Sequence, residues 1–203
     1  MTADLAHSPL PERFQHLLKV ISGQRFLNKQ GLGNEVPFFI CPYKPQEAEA
    51  MQRLQGQLIT SLAQQGVTVL DINLYDLSIQ ILKDRGIWDQ ILDMESDVDK
   101  PQLLELLQGV LDPESHLIPA IATQLAQTSF DVLFLSGVGE VFPYIRSHNV
   151  LNNLQSTAKD RPTVLFFPGD YSHSVATGAS LDLFCRMHDD KYYRAFNIYH
   201  CEV

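Results

Sequence analysis

The residues with the most chemical promise follow an apolar run, Val132 to Leu135, that ends in Ser136-Gly137-Val-Gly139-Glu140. A strand leading through glycines into a helix is where α/β proteins place ligands, because backbone amides there can approach a phosphate. Only two glycines of the dinucleotide fingerprint are present. Phe142 occupies the third position, where close helix–strand packing calls for another. The turn after the first apolar run, Cys41-Pro-Tyr-Lys44-Pro-Gln-Glu47, holds no glycine, so it offers no phosphate cradle. Lys44 reads as a solvated side chain at a helix start. An ATPase would carry a magnesium-binding acid where this chain has Ser136 and Gly137, and Glu140 comes too late to replace it.

Two other groupings invite chemistry. Cys185-x-x-His188-Asp189-Asp190, with His173 upstream and His200-Cys201 downstream, has soft and imidazole ligands at zinc-like spacing. Against that, adjacent His200 and Cys201 would point to opposite faces of a strand, and His188 lies in a charged, surface-type segment. The expected arrangement is therefore a buried Cys185 with hydrogen-bonded histidines rather than a zinc site. Asp170 and His173 stand just past a predicted strand end, an address for catalytic groups, but an aspartate there also suits plain turn chemistry. There is no Gly-x-Ser-x-Gly elbow, and no cysteine sits beside an obvious base.

The helix expected to open at Pro143 is the more unusual feature. On a 3.6-residue period Val141, Ile145, His148, Leu151 and Leu154 share one side, and Arg146, Asn149 and Asn153 run down another. Asparagine is a mediocre helix former, so this polar stripe costs helix stability. It would suit either an internal polar network or a surface satisfied by a partner or ligand.

The elements that must position these groups follow from periodicity. A first helix fits Glu12 to Ile21, with Phe14, Leu17, Leu18 and Ile21 on one face, and Gly23 to Asn34 reads as a loop. Val36 to Tyr43 reads as a buried strand with Pro37 at its beginning, and a helix opened by Pro45 carries Met51, Leu54, Leu58 and Leu62 in register. Gly66 ends that helix and Val67 to Ile72 forms a second strand, giving a βαβ unit with a right-handed crossover. Residues 75–128 are helical throughout, an insertion capping one end or face of the sheet. Strand three is Val132 to Leu135, strand four Thr163 to Phe167, and a fifth is possible over Arg194 to Tyr199. The expectation is one three-layer α/β domain over 1–203 with a mostly parallel sheet, residues 1–11 being flexible.

Composition narrows the function. The hydrophobic share of 45% with 19% charged residues is that of a soluble globular domain. A net charge of −9 argues against an independent nucleic-acid binder. Acids gather at Asp84, Asp89, Asp93, Glu95, Asp97, Asp99 and Glu105 against Lys83, Arg85 and Lys100, either a solvated helical face or a dock for a basic partner. Three widely spaced cysteines, Cys41, Cys185 and Cys201, suggest a reducing compartment rather than a disulfide framework. With no apolar run of about 20 residues and no signal core, the expected location is the cytoplasm, with no membrane contact.

Long strings then carry a resemblance: Asp71-Ile-Asn-Leu-Tyr-Asp76, Gly137 through Ser156, Phe166-Phe-Pro-Gly-Asp-Tyr171, and Asp189-Asp-Lys-Tyr-Tyr-Arg-Ala-Phe-Asn197. The chain resembles the BrxB family of the BREX (bacteriophage exclusion) defence systems from about Arg13 to Asn197. The resemblance implies a role in a multiprotein system that blocks phage and marks host DNA. It implies an accessory subunit docking the alkaline-phosphatase-like protein PglZ and possibly other BREX components, with DNA reached only through partners. It also implies a P-loop-NTPase-like domain without the phosphate loop, and supplies no catalytic residue, cofactor or metal. The candidate interaction surface is Gly137, Gly139, Glu140, Tyr144, Arg146, His148, Asn149 and Asn153. The alternative is a nucleotide-binding or phosphoryl-handling site around Gly137, Glu140, Asp170 and His173.

Overall fold

In the computed structural model, residues 5–30, 37–174, 178–187 and 195–203 are described. Helix α1 (Leu10–Ser22) and the short α2 (Gln24–Leu27) lead to β1 (Phe38–Tyr43), which begins directly after Pro37, where a missing N–H costs the ladder nothing. A single tight turn over Pro45–Glu47 starts α3 (Ala48–Gln64), and Gly66, at φ +80°, turns the chain into β2 (Val69–Asn73). Helices α4 (Leu74–Asp84), α5 (Trp88–Glu95), α6 (Lys100–Val110) and α7 (Ile118–Gln127) follow, before β3 (Val132–Ser136). Helix α8 (Ser147–Leu154), β4 (Thr163–Ser174), β5 (Gly178–Leu183) and the two-residue β6 (Phe196–Asn197) complete the order.

The sheet runs β2-β3-β4-β1-β6, all parallel, with β5 pairing antiparallel to the outer half of β4. β1 is therefore interior, and α3 crosses β4 and β3 to reach β2 at the far edge. The return from β2 through β3 to β4 runs on the opposite face. Strand residues alternate between two cores. Phe39, Cys41, Val132, Phe134, Val164 and Phe166 meet α1 and α3, while Phe38, Ile40, Leu133, Leu135, Leu165 and Phe167 meet the helices that follow β2. Each fully buried side chain of this size contributes about 1.5–3 kcal/mol. No helix among the described residues is long and apolar enough to cross a membrane.

One buried ionic network ties the ends of the described chain together. Arg13 is fully buried on α1; its guanidinium donates to Glu47 Oε2 at 2.9 Å and Tyr199 Oη at 3.1 Å, and approaches Met51 Sδ at 3.1 Å. Tyr199 Oη also meets Cys41 Sγ at 3.4 Å. The helix periodicity placed Phe14 and Leu18 on the buried face of α1; the residues enclosed are Arg13, Leu17, Val20 and Ile21.

Several expectations are corrected. α1 starts at Leu10, not Glu12, and part of the expected loop after Gly23 is α2; residues 31–36 lie outside the described residues. The helix after β3 opens at Ser147 rather than Pro143, because residues 138–145 form successive turns that include a cis Phe142–Pro143 peptide. β4 continues through Pro168 and Gly169 to Ser174, so Asp170 and His173 belong to a β-hairpin rather than to the end of a strand. Gly169 permits this bend, since a Cβ there would stand 2.1 Å from the Asp182 carbonyl oxygen. The expected fifth strand is only Phe196–Asn197 followed by a turn over Ile198–His200; Arg194 lies outside the described residues.

Candidate functional site

The carboxyl edge of the sheet carries the chemistry, and its centre is a helix cap. Asn73 ends β2 and caps α4, its Oδ1 accepting from the Tyr75 amide at 2.8 Å and the Asp76 amide at 3.3 Å. Ser136 stands beside Asn73 in the ladder, so the next residue must pass over the cap. That residue is Gly137, at φ +78°; a Cβ on it would lie 2.4 Å from Asn73 Oδ1. Gly139 is also a packing glycine: a Cβ there would lie 2.9 Å from the Phe184 ring and 3.1 Å from Pro168. Both glycines are thus explained by neighbours within the chain, without a phosphate.

Around the cap lies a crevice of about 390 Å³ between the start of α3 and the ends of β1, β2 and β3. Glu49, Asp71, Asp76 and Glu140 line it with Tyr43, Gln52, Gln55 and Ser136, and no lysine or arginine does. Glu49 pairs with Arg53 one turn along α3, outside the lining. Gln55, buried on α3, donates from Nε2 to Asp71 at 2.7 Å. Removal from water raises the Asp71 carboxyl, and the Gln55 hydrogen bond only partly offsets that. Burial, followed by the charges of Cys41 and Glu140, pushes the Tyr43 phenol up. Tyr144 is pushed up to about 12 by burial, then by Tyr75 and Glu140, which places these three side chains in one neighbourhood. Such a crevice repels phosphate and attracts cationic groups.

A second depression, of about 300 Å³, shares Tyr43 and contains Lys44, Asp170, Ser172, His7 and His200. The structure therefore divides the proposed phosphoryl site: Gly137 and Glu140 line the acidic crevice, and Asp170 lines the other depression. The His173 side chain lies outside the described residues. Cys185 is exposed, not buried as expected; partial desolvation and then the Asp170 carboxylate raise its thiol, so it is no activated nucleophile. The zinc-like grouping depended on His188, Asp189 and Asp190, which lie outside the described residues; among those described, no three His, Cys, Asp or Glu side chains gather to hold a metal ion.

The polar helix is mixed in character. His148 is 2% exposed and packs inward with Val150, Leu151 and Leu154, so it does not belong to an accessible surface. Asn149 and Asn153 are half-buried, and Asn153 Nδ2 donates to the Asn149 carbonyl at 2.8 Å, so part of the stripe is satisfied within the helix. Arg146 and Glu140 are exposed, and Tyr144 is half-buried. Tyr43, Glu49 and Gln55 are crevice residues beyond those expected from sequence, and Asp71, Tyr75 and Asp76, which carry part of the family resemblance, lie outside the expected interaction surface. One signal was available: Gln55 is a polar residue in the inward register of Met51, Leu58 and Leu62.

The family whose sequence model is described as "BREX protein BrxB" matches residues 70–198. The chain is similar to the BREX protein BrxB of Bacillus cereus (strain H3081.97), 34% identical over 193 residues, covering 92% of this chain and 96% of that relative. It is also similar to the BREX protein BrxB of Escherichia coli O9:H4 (strain HS), 27% identical over 189 residues, covering 93% and 91%. No solved structure matches it.

Proposed function

The chain belongs to the BrxB family of BREX phage-defence proteins, and from that premise we propose that it is a non-catalytic assembly subunit that docks PglZ. The observation that carries this reading is the acidic crevice: where a nucleotidase holds phosphates, this domain presents four carboxylates and no lining cation. The strand order, with β1 interior and β2 at the edge, supports descent from a P-loop-like domain whose phosphate loop is absent. The turn Cys41-Pro-Tyr-Lys44-Pro agrees, having no glycine.

The docking surface runs along the carboxyl edge from Tyr75 through Glu140 and Tyr144 to Arg146, with Asn149 and Asn153 beside it. Tyrosine and arginine are the side chains that most often dominate protein interfaces. The subunit works in the cytoplasm and meets DNA only through its partners, as its net charge of −9 favours.

Co-expression with PglZ tests the proposal. The wild-type chain should co-purify with PglZ, and Arg146→Glu combined with Tyr75→Ala should abolish both the complex and phage exclusion while the domain stays folded. An intact complex with exclusion lost would refute it. A thermal-shift screen with nucleotides and magnesium should stay flat, whereas a ligand at a hundred times its Kd would stabilise the domain by about 2.7 kcal/mol.

A further inference from the structure

Among the described residues, one buried side-chain oxygen has no hydrogen-bond partner, Thr163 Oγ1. Thr163 opens β4 and is 1% exposed. Its amide donates to the Pro37 carbonyl at 2.9 Å, so the deficit lies in the side chain. Stranding a buried hydroxyl is costly, and valine would fill the same space without that cost.

The stranded hydroxyl lines a pocket of about 260 Å³ at the amino edge of the sheet, away from the acidic crevice. The end of α7, the start of β3 and the segment joining α8 to β4 enclose it. Leu133, the ladder neighbour of Thr163, lines it with Leu125, Phe130 and Ala158, all of which belong to the core or pack against it. These four side chains give a water nothing to bond, and buried water is held by about two to four polar partners. The rest of the lining is polar: Thr157 is half-buried, and Thr128, Ser129, Asp160 and Arg161 are exposed at the mouth. Asp160 and Arg161 enter no ion pair among the described residues, and their charges cancel, so the mouth favours neither anions nor cations. An apolar cavity of about 150 Å³ admits benzene, whereas drug-sized ligands fill about 300–1,000 Å³. The space here falls between those sizes.

We propose that this amino-edge pocket binds a small uncharged amphiphile, one ring or a short chain with a single hydroxyl or carbonyl, whose polar atom bonds to Thr163 Oγ1. The probe is p-cresol, and toluene, the same body without the hydroxyl, is the control. Titrating p-cresol into the isotope-labelled full chain should shift amides of residues 125–133 and 157–163. Thr163→Val should weaken p-cresol binding roughly fivefold, about the worth of one hydrogen bond, and leave toluene binding unchanged or tighter. Without a probe the same variant should keep or raise the urea midpoint, because no existing hydrogen bond is lost. A merely structural hydroxyl would give the reverse, a lower midpoint with both probes affected alike. That result would overturn the proposal, as would no shift with p-cresol or shifts centred on other residues. Equal losses for p-cresol and toluene in folded Thr163→Val would do the same.

Discussion

Gly137→Ala should cost the domain stability rather than a ligand. At φ +78° an alanine lies in the left-handed region, a penalty of about 1–2 kcal/mol. Its Cβ would also sit 2.4 Å from Asn73 Oδ1 and 3.1 Å from the Leu74 amide nitrogen, so the cap must move. Losing an asparagine cap costs about 1 kcal/mol more. The sum is about 2–3 kcal/mol, a fall in Tm of roughly 4–12 °C at this chain length. Urea titration of the single variants and of Asn73→Ala with Gly137→Ala provides the check. Removing the Asn73 side chain relieves the clash, so the double variant should be more stable than the summed single effects predict, by about 1 kcal/mol. The reasoning is falsified if Gly137→Ala costs less than about 0.5 kcal/mol, or if the two changes simply add.

Other expectations follow from the buried network and its surroundings. Arg13→Met should cost about 1–3 kcal/mol, because it strips the buried Tyr199 hydroxyl of its donor while Glu47, a third exposed, is left to solvent, read as a shift of the urea midpoint. Burial pushes the Glu47 carboxyl up, but the hydrogen bond and charge of Arg13 outweigh that and hold it below the usual range. A depressed folded value contributes stability above the ordinary carboxylate pKa that is lost as pH falls through the folded one. Glu47→Gln should therefore unfold less steeply on acidification, as equilibrium unfolding against pH would show. Asp71 is shifted the opposite way, so its contribution is lost as pH rises through its folded value, and Asp71→Asn should remove that loss. Burial pushes the Cys41 thiol up to about 11, so a thiol reagent should modify exposed Cys185 in the native protein and Cys41 only after unfolding.

Much of this architecture was legible because the strands of a covered parallel sheet are uninterrupted apolar runs. Phe38 to Cys41, Val132 to Leu135 and Thr163 to Phe167 announce themselves in that way. What escaped has physical causes. Pro168-Gly169 reads as punctuation, yet the glycine is there so that β5 can approach, and β5 itself alternates Ser180, Leu181, Asp182 and Leu183 too briefly to stand out. Arg13 looks like a surface residue beside an apolar stripe, because the partners that make its burial tolerable, Glu47 and Tyr199, are distant in sequence. The candidate site was half legible. The glycines located the right edge of the sheet, but their role as space for the Asn73 cap depends on β2 and β3 lying side by side.

The Arg13–Tyr199 hydrogen bond closes a separation of 186 residues. Closing so long a loop costs chain entropy before the contact repays it, which predicts that this network forms late in folding. A substitution in it should leave the folding rate almost unchanged and appear instead as faster unfolding. Residues 10–22 and 198–200 would then be released together, making the lifetime of the native state, more than the speed of reaching it, the quantity that this buried arginine governs.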